Sequence, residues 1–145
     1  MKKIISQYLL LLLPELCFAA NQEIIDQQIM NAEYTIAAFE CSILAIDPII
    51  KNKFTQLGYE KGHEFIAYIE ANYEQYEKKM IGKISNIWSM VDGPSADFIL
   101  GRVYQDSFYQ IAHYYQPDQF DYNAWLKMKV KMYQQKNCHV LHYRK

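Results

Sequence analysis

The chain has 145 residues, 15 Lys and Arg against 16 Asp and Glu, and a formal net charge of −1. Half of it is hydrophobic, 15% is aromatic, and glycine and proline are scarce. That composition excludes a disordered chain and, lacking any basic excess, argues against nucleic acid as a partner.

The first segment has three parts. Met1-Lys2-Lys3 is cationic, Ile4 to Leu13 is an apolar run of about ten residues, and Pro14 to Ala20 breaks it and ends in small residues. This is the layout of a secretory signal peptide, with a cut after Ala19. The run is too short for a bilayer span, which needs roughly twenty residues. Pro14-Glu15-Leu16 is a poor lead-in for lipidation of Cys17. The reading is therefore a leader over 1–19 and one helical domain over 20–145, exported to the bacterial periplasm or secreted, with no transmembrane segment in the mature chain.

Without the leader, 13 basic and 15 acidic side chains remain. Two cysteines also remain, Cys41 and Cys138. In an oxidising compartment an even pair reads as one disulfide. It closes a loop of about 98 residues, for which chain entropy gives roughly 4.7 kcal/mol before strain.

Helical spacing dominates from residue 21. Ile25, Ile29, Ala32, Ile36, Phe39, Ile43 and Ile46 line one face, and Met30, Tyr34, Ala37, Ala38, Cys41 and Ala45 the other. A helix apolar on both sides is buried on both sides, so residues 22–46 are predicted as the central helix. Asp47-Pro48 stops it and starts the next, with Asp47 as N-cap and Pro48 at the first position. Ile49, Ile50, Phe54 and Leu57 line that short helix, and Gly58 is expected to end it. A third helix is predicted over 59–77. A weaker fourth segment reaches about Met90, either separate or continuous with the third through a kink near Gly82.

Asp92-Gly93-Pro94-Ser95 is the clearest turn. Ser95 is a good N-cap and Asp97 suits the positive end of the helix dipole. The following helix is predicted to reach about Tyr115 and to bury Leu100/Gly101, Tyr104, Phe108, Ile111 and Tyr115. A last helix spans about 121–136, with Trp125, Met128, Val130 and Met132 as its apolar positions. The fold class is all-α: an irregular bundle of five or six helices around the buried central helix, stapled by Cys41–Cys138.

Arg102, Asp106, Tyr109 and His113 recur at helical steps opposite the buried stripe. Arg102 and Asp106 can pair across one turn, as can Tyr109 and His113. A catalytic reading makes His113 an acid or base and Arg102 an anion clamp; the plain alternative is a solvated helix face. A binding reading of this region centres on Ser95, Arg102, Tyr109 and Tyr114. Gly101 has a packing explanation, the close approach of another helix. His139 and His142 have metal-ligand spacing on a helix but lack a third ligand, so no metal and no cofactor is expected.

Charge is uneven. Residues 20–100 hold 6 basic and 12 acidic side chains, whereas 122–145 hold Lys127, Lys129, Lys131, Lys136, Arg144 and Lys145 and no acid. The basic end either packs on the acidic front of the same molecule or faces an anionic partner. Tyrosine is also in excess, with twelve after the leader, and some of these rings must be exposed or line a groove. The functional expectation is a small exported helical binding protein, such as an inhibitor, immunity or accessory protein acting on another protein. The alternatives are a hydrolase of an anionic or envelope substrate working through Arg102, Asp106 and His113, and a structural accessory of an envelope complex.

Overall fold

The computed structural model describes the backbone of residues 2–115 and 121–141, and the side chains of 22–74, 76, 78–115 and 121–141. Helix α1 runs Lys2–Leu44, α2 Pro48–Ala71, α3 Tyr73–Lys79, α4 Ile87–Met90, α5 Ala96–His113, α6 Tyr122–Gln135 and α7 Cys138–Leu141. No strand occurs among the described residues. None of their helices is long and apolar enough to cross a membrane.

Three starts follow from local chemistry. Asp47 Oδ1 accepts from the Ile49 and Ile50 amides at 2.7 and 3.2 Å, with Pro48 in the first turn. Ser95 Oγ accepts from the Phe98 amide at 3.3 Å. Asp121 Oδ1 accepts from the Asn123 amide at 2.9 Å. Each occupies amide donors that a helix start leaves without a helical partner.

Helix α2 does not end at Gly58; it continues through Gly58 and Gly62 to Ala71. Both glycines are buried where α2 meets its neighbours. A Cβ on Gly58 would overlap the Phe39 ring, and one on Gly62 would overlap Leu100 Cδ2 and press on Thr35. Each glycine costs helix stability, and here close packing offsets that cost. The expected helix over 59–77 is broken at Asn72, whose side-chain amide donates to the Tyr68 carbonyl at 3.0 Å. Gly82 is not a kink within a helix either. It lies in a turn with φ +84°, a conformation that suits glycine.

Two apolar clusters form the core. One joins Ile25, Ala32, Ile36 and Phe39 of α1 to Phe65, Ile66, Met80, Trp88, Leu100 and Val103. The other joins Cys41, Ile43 and Leu44 to Phe54, Ile111, Met132 and Cys138. Tyr104 packs on both, edge-on to Phe39 with ring centroids 5.3 Å apart. The disulfide Cys41–Cys138 ties the end of the chain to α1, as expected.

The buried side of α5 is turned from its expected phase. Leu100, Val103, Ser107 and Ile111 are buried, while Phe108 is 42% exposed. Ser107 is tolerated inside because its hydroxyl donates to the Val103 carbonyl at 2.8 Å. Every buried side-chain nitrogen and oxygen among the described residues has a hydrogen-bond partner. Asn31 shows how: its Nδ2 donates to Glu64 Oε2 at 3.0 Å and to Gln28 Oε1 at 3.2 Å. Glu64 in turn meets the Lys61 ammonium at 2.9 Å, and that hydrogen bond is the main reason the Lys61 pKa lies above its usual value.

Candidate functional site

The start of α5 is bound up in its own contacts. Arg102 does not pair with Asp106 but reaches back across the cap to Asp92, at 3.5 Å. The Phe98 ring folds against Gly93, where a Cβ would collide with it. His63 Nε2 and Asp97 Oδ1 lie 2.9 Å apart, joining α2 to the first turn of α5. Gly93, Ser95 and Arg102 thus hold one turn in place, and Ser95 spends its side-chain oxygen on the Phe98 amide.

Further along α5, Asp106, Tyr109 and His113 share a helix face. The Tyr109 hydroxyl accepts from Gln105 Nε2 at 3.1 Å, and its ring lies edge-on to Phe108. His113 is the last residue of α5 and is exposed; Asp106 is half-buried. Tyr114 is 73% exposed and edges a shallow cleft with Met128, Lys131, Met132, Gln135 and Lys136. Gly101 has open space where a Cβ would stand, so no helix among the described residues approaches it closely, against the packing explanation. His139 lies exposed in α7, and His142, Arg144 and Lys145 fall outside the described residues. No group of three or more His, Cys, Asp or Glu that could hold a metal ion occurs among the described residues.

A second surface was not foreseen. Where α1 turns into α2, residues Leu44, Ala45, Ile46, Asp47 and Ile50 face Val130, Tyr133 and Gln134 of α6 across a cleft of about 250 Å³. Ile46 was expected on the buried stripe, yet it is 57% exposed; Ile49 and Val130 beside it are 66% and 45% exposed. The physical reason is register. Helix α1 ends at Leu44, so Ile46 no longer follows its periodicity, and Ile49 points away from the core that Phe54 enters.

Helix α6 is fixed here from several sides. Lys129 Nζ donates to the Ala45 carbonyl just beyond the end of α1, at 3.3 Å, where a cation suits the negative pole of the helix dipole. Burial pushes the Lys129 pKa down, and the Lys51 charge nearby adds to the shift. Lys136 pairs with Glu40 of α1 at 2.8 Å, so one lysine of the basic end does pack on the acidic front. The Phe54 and Tyr133 rings meet edge to face at 6.4 Å.

No protein-family model, curated protein or solved structure matches the chain. The functional reading therefore rests on these two surfaces.

Proposed function

We propose that the protein is an exported helical binding protein that acts on another protein, as an inhibitor, immunity or accessory factor. In this reading residues 1–19 are removed after Ala19 and the mature chain works in the periplasm. The observation that carries the binding part is the exposure of Ile46 and Val130 in the lining of a cleft on a disulfide-stapled scaffold. Contiguous exposed apolar side chains mark interaction sites more often than they occur idly. The hydrolase alternative needs Arg102, Asp106 and His113 to face one reacting group, whereas Arg102 pairs with the exposed Asp92 at 3.5 Å.

The test is to express the full chain with a C-terminal tag in its own host and purify it gently from the periplasmic fraction. The expected result is a chain whose intact mass begins at Ala20 and which carries a second protein in fixed ratio. Retention in the cytoplasm would sink the export reading. Elution without a partner, with hydrolysis of envelope material abolished by His113→Ala, would replace the binder by the enzyme.

A further inference from the structure

The corner cleft is built for a particular kind of partner. Its volume, about 250 Å³, falls below the roughly 300–1,000 Å³ of pockets that enclose drug-sized ligands. It has room for one large apolar side chain delivered from outside. Its lining is mainly aliphatic, with the Tyr133 ring as one wall. A single apolar anchor seated in such a recess is the usual centre of a protein interface.

The surroundings are cationic. Over residues 45–53 and 122–137, Asp47 is the only acid, against Lys51, Lys53, Lys127, Lys129, Lys131 and Lys136. Asp47 spends Oδ1 on capping α2. Lys136 is neutralised by Glu40, and Lys129 is turned onto the Ala45 carbonyl. Lys51, Lys53, Lys127 and Lys131 are exposed and have no acidic partner among the described residues. Lys127 stands one turn before Val130 on neighbouring positions of α6. The Lys129 pKa is lowered first by burial and further by the Lys51 charge; like charges on one side of the molecule are relieved by an anionic partner.

We infer that this corner docks an acidic segment of another protein, which seats one apolar side chain among Ile46, Ile50, Val130 and Tyr133 and sets its carboxylates against Lys51 and Lys127. The inference rests on the binding-protein reading and adds to it the site and the chemistry of the partner. The apolar recess supplies the anchor, and the lysine rim supplies orientation and salt-sensitive attraction.

The test is a display library of random short peptides, panned against the full oxidised chain and counter-selected against Val130→Glu. Ile46→Glu is a second counter-selector, because Ile46 lines the cleft, is the more exposed of the two, and its replacement leaves the core untouched. The expected winners carry several Asp or Glu around one bulky apolar residue. The strongest, resynthesised, should lose about tenfold or more in affinity to Val130→Glu. They should weaken several-fold on Lys51→Glu with Lys127→Glu, weaken with added salt, and be indifferent to Tyr109→Ala.

Neutral or basic winners, or acidic winners equally bound by both cleft variants, would overturn the inference. So would a dimer abolished by Val130→Glu, or retention of phosphatidylglycerol vesicles with the same variant sensitivity and no peptide binding. The two readings fail separately. If the co-purifying partner is held equally by wild type and Val130→Glu, the protein is a binder and the corner is not its site.

Discussion

The start of α5 and the corner between α1 and α2 are built from similar parts and put to different ends. Each is a turn with a proline, an acidic or hydroxyl N-cap and bulky apolar side chains beside it. At α5 the exposed groups answer one another: Arg102 meets Asp92, His63 meets Asp97, and Phe98 lies on Gly93. At the corner the cap is satisfied, but Ile46, Ile49 and Val130 stay uncovered, and Lys51, Lys53, Lys127 and Lys131 have no acidic partner among the described residues. Exposure alone does not mark a site. What separates the two regions is whether the exposed groups are already spent within the molecule.

The largest expected effect comes from breaking the disulfide, which belongs to the corner's side of the core. Replacing Cys41 and Cys138 together by Ser should cost about 2–5 kcal/mol, read from chemical denaturation against the oxidised parent. Hydrogen exchange should rise first in α6 and α7, while the first turns of α5, which sit on the other cluster, keep their protection. Equal loss at both places would mean that the clusters open as one unit.

Next comes Gly58→Ala, which strains the link between the regions. The new methyl meets the Phe39 ring, which is itself wedged edge-on between Tyr59 and Tyr104, and Tyr104 packs on both clusters. Overpacking of this kind costs about 1–3 kcal/mol, even after the gain in helix propensity. A rise in melting temperature would show that the ring has room to move.

These two sites also show what could be read from the chain. The disulfide was legible because reading Cys17 as part of a leader leaves an even pair. Asp47 and Ser95 were legible as N-caps because capping is settled within three or four residues, and the last helix was placed to start at about Asp121. Gly58 was not, since a glycine that ends a helix and one that admits a ring look alike locally; the ring belongs to Phe39, nineteen positions earlier. The phase of α5 misled for a related reason. Apolar periodicity favours Phe108 inside, but the space beside α5 takes Ser107, whose hydroxyl is satisfied by its own helix. Of the candidate site residues, Arg102, Tyr109 and His113 were correctly placed on one exposed helix face. Their partners were not legible, because Asp92 lies across the cap and not one helical turn away. The corner cleft was missed entirely, as it depends on α6 crossing residues eighty-odd positions away.

Smaller effects separate local from shared stability. Ser95→Ala removes one cap and should cost about 1 kcal/mol, seen as faster exchange confined to the first turn of α5. Gly101→Ala should instead stabilise by roughly 0.5–1 kcal/mol, since a Cβ meets nothing there and the helix gains propensity. Any loss at Gly101 would point to a contact that the open space around it does not reveal.

The finest comparison is electrostatic, and it runs in opposite directions at the two ends. Lys129 at the corner has a folded-state pKa below its ordinary 10.5, chiefly through burial. Between that lowered value and 10.5 the unfolded chain holds a proton that the native chain has released, so stability rises with pH across this window. Tyr76, packed against Phe65 in the other cluster, has its pKa raised above 10.0 by burial. Above 10.0 the unfolded chain loses that proton first, and stability falls. Lys61, raised by Glu64, acts in the same downward sense above 10.5. Lys129→Met should therefore remove only the rising component. The stability of the parent minus that of the variant should grow as pH climbs from neutral toward 10.5, measured by denaturant titration at each pH. Tyr76→Phe should do the reverse, abolishing part of the fall above 10.0. A parent-minus-Lys129→Met difference that stays flat would mean that the ammonium is fully hydrated and free of the corner.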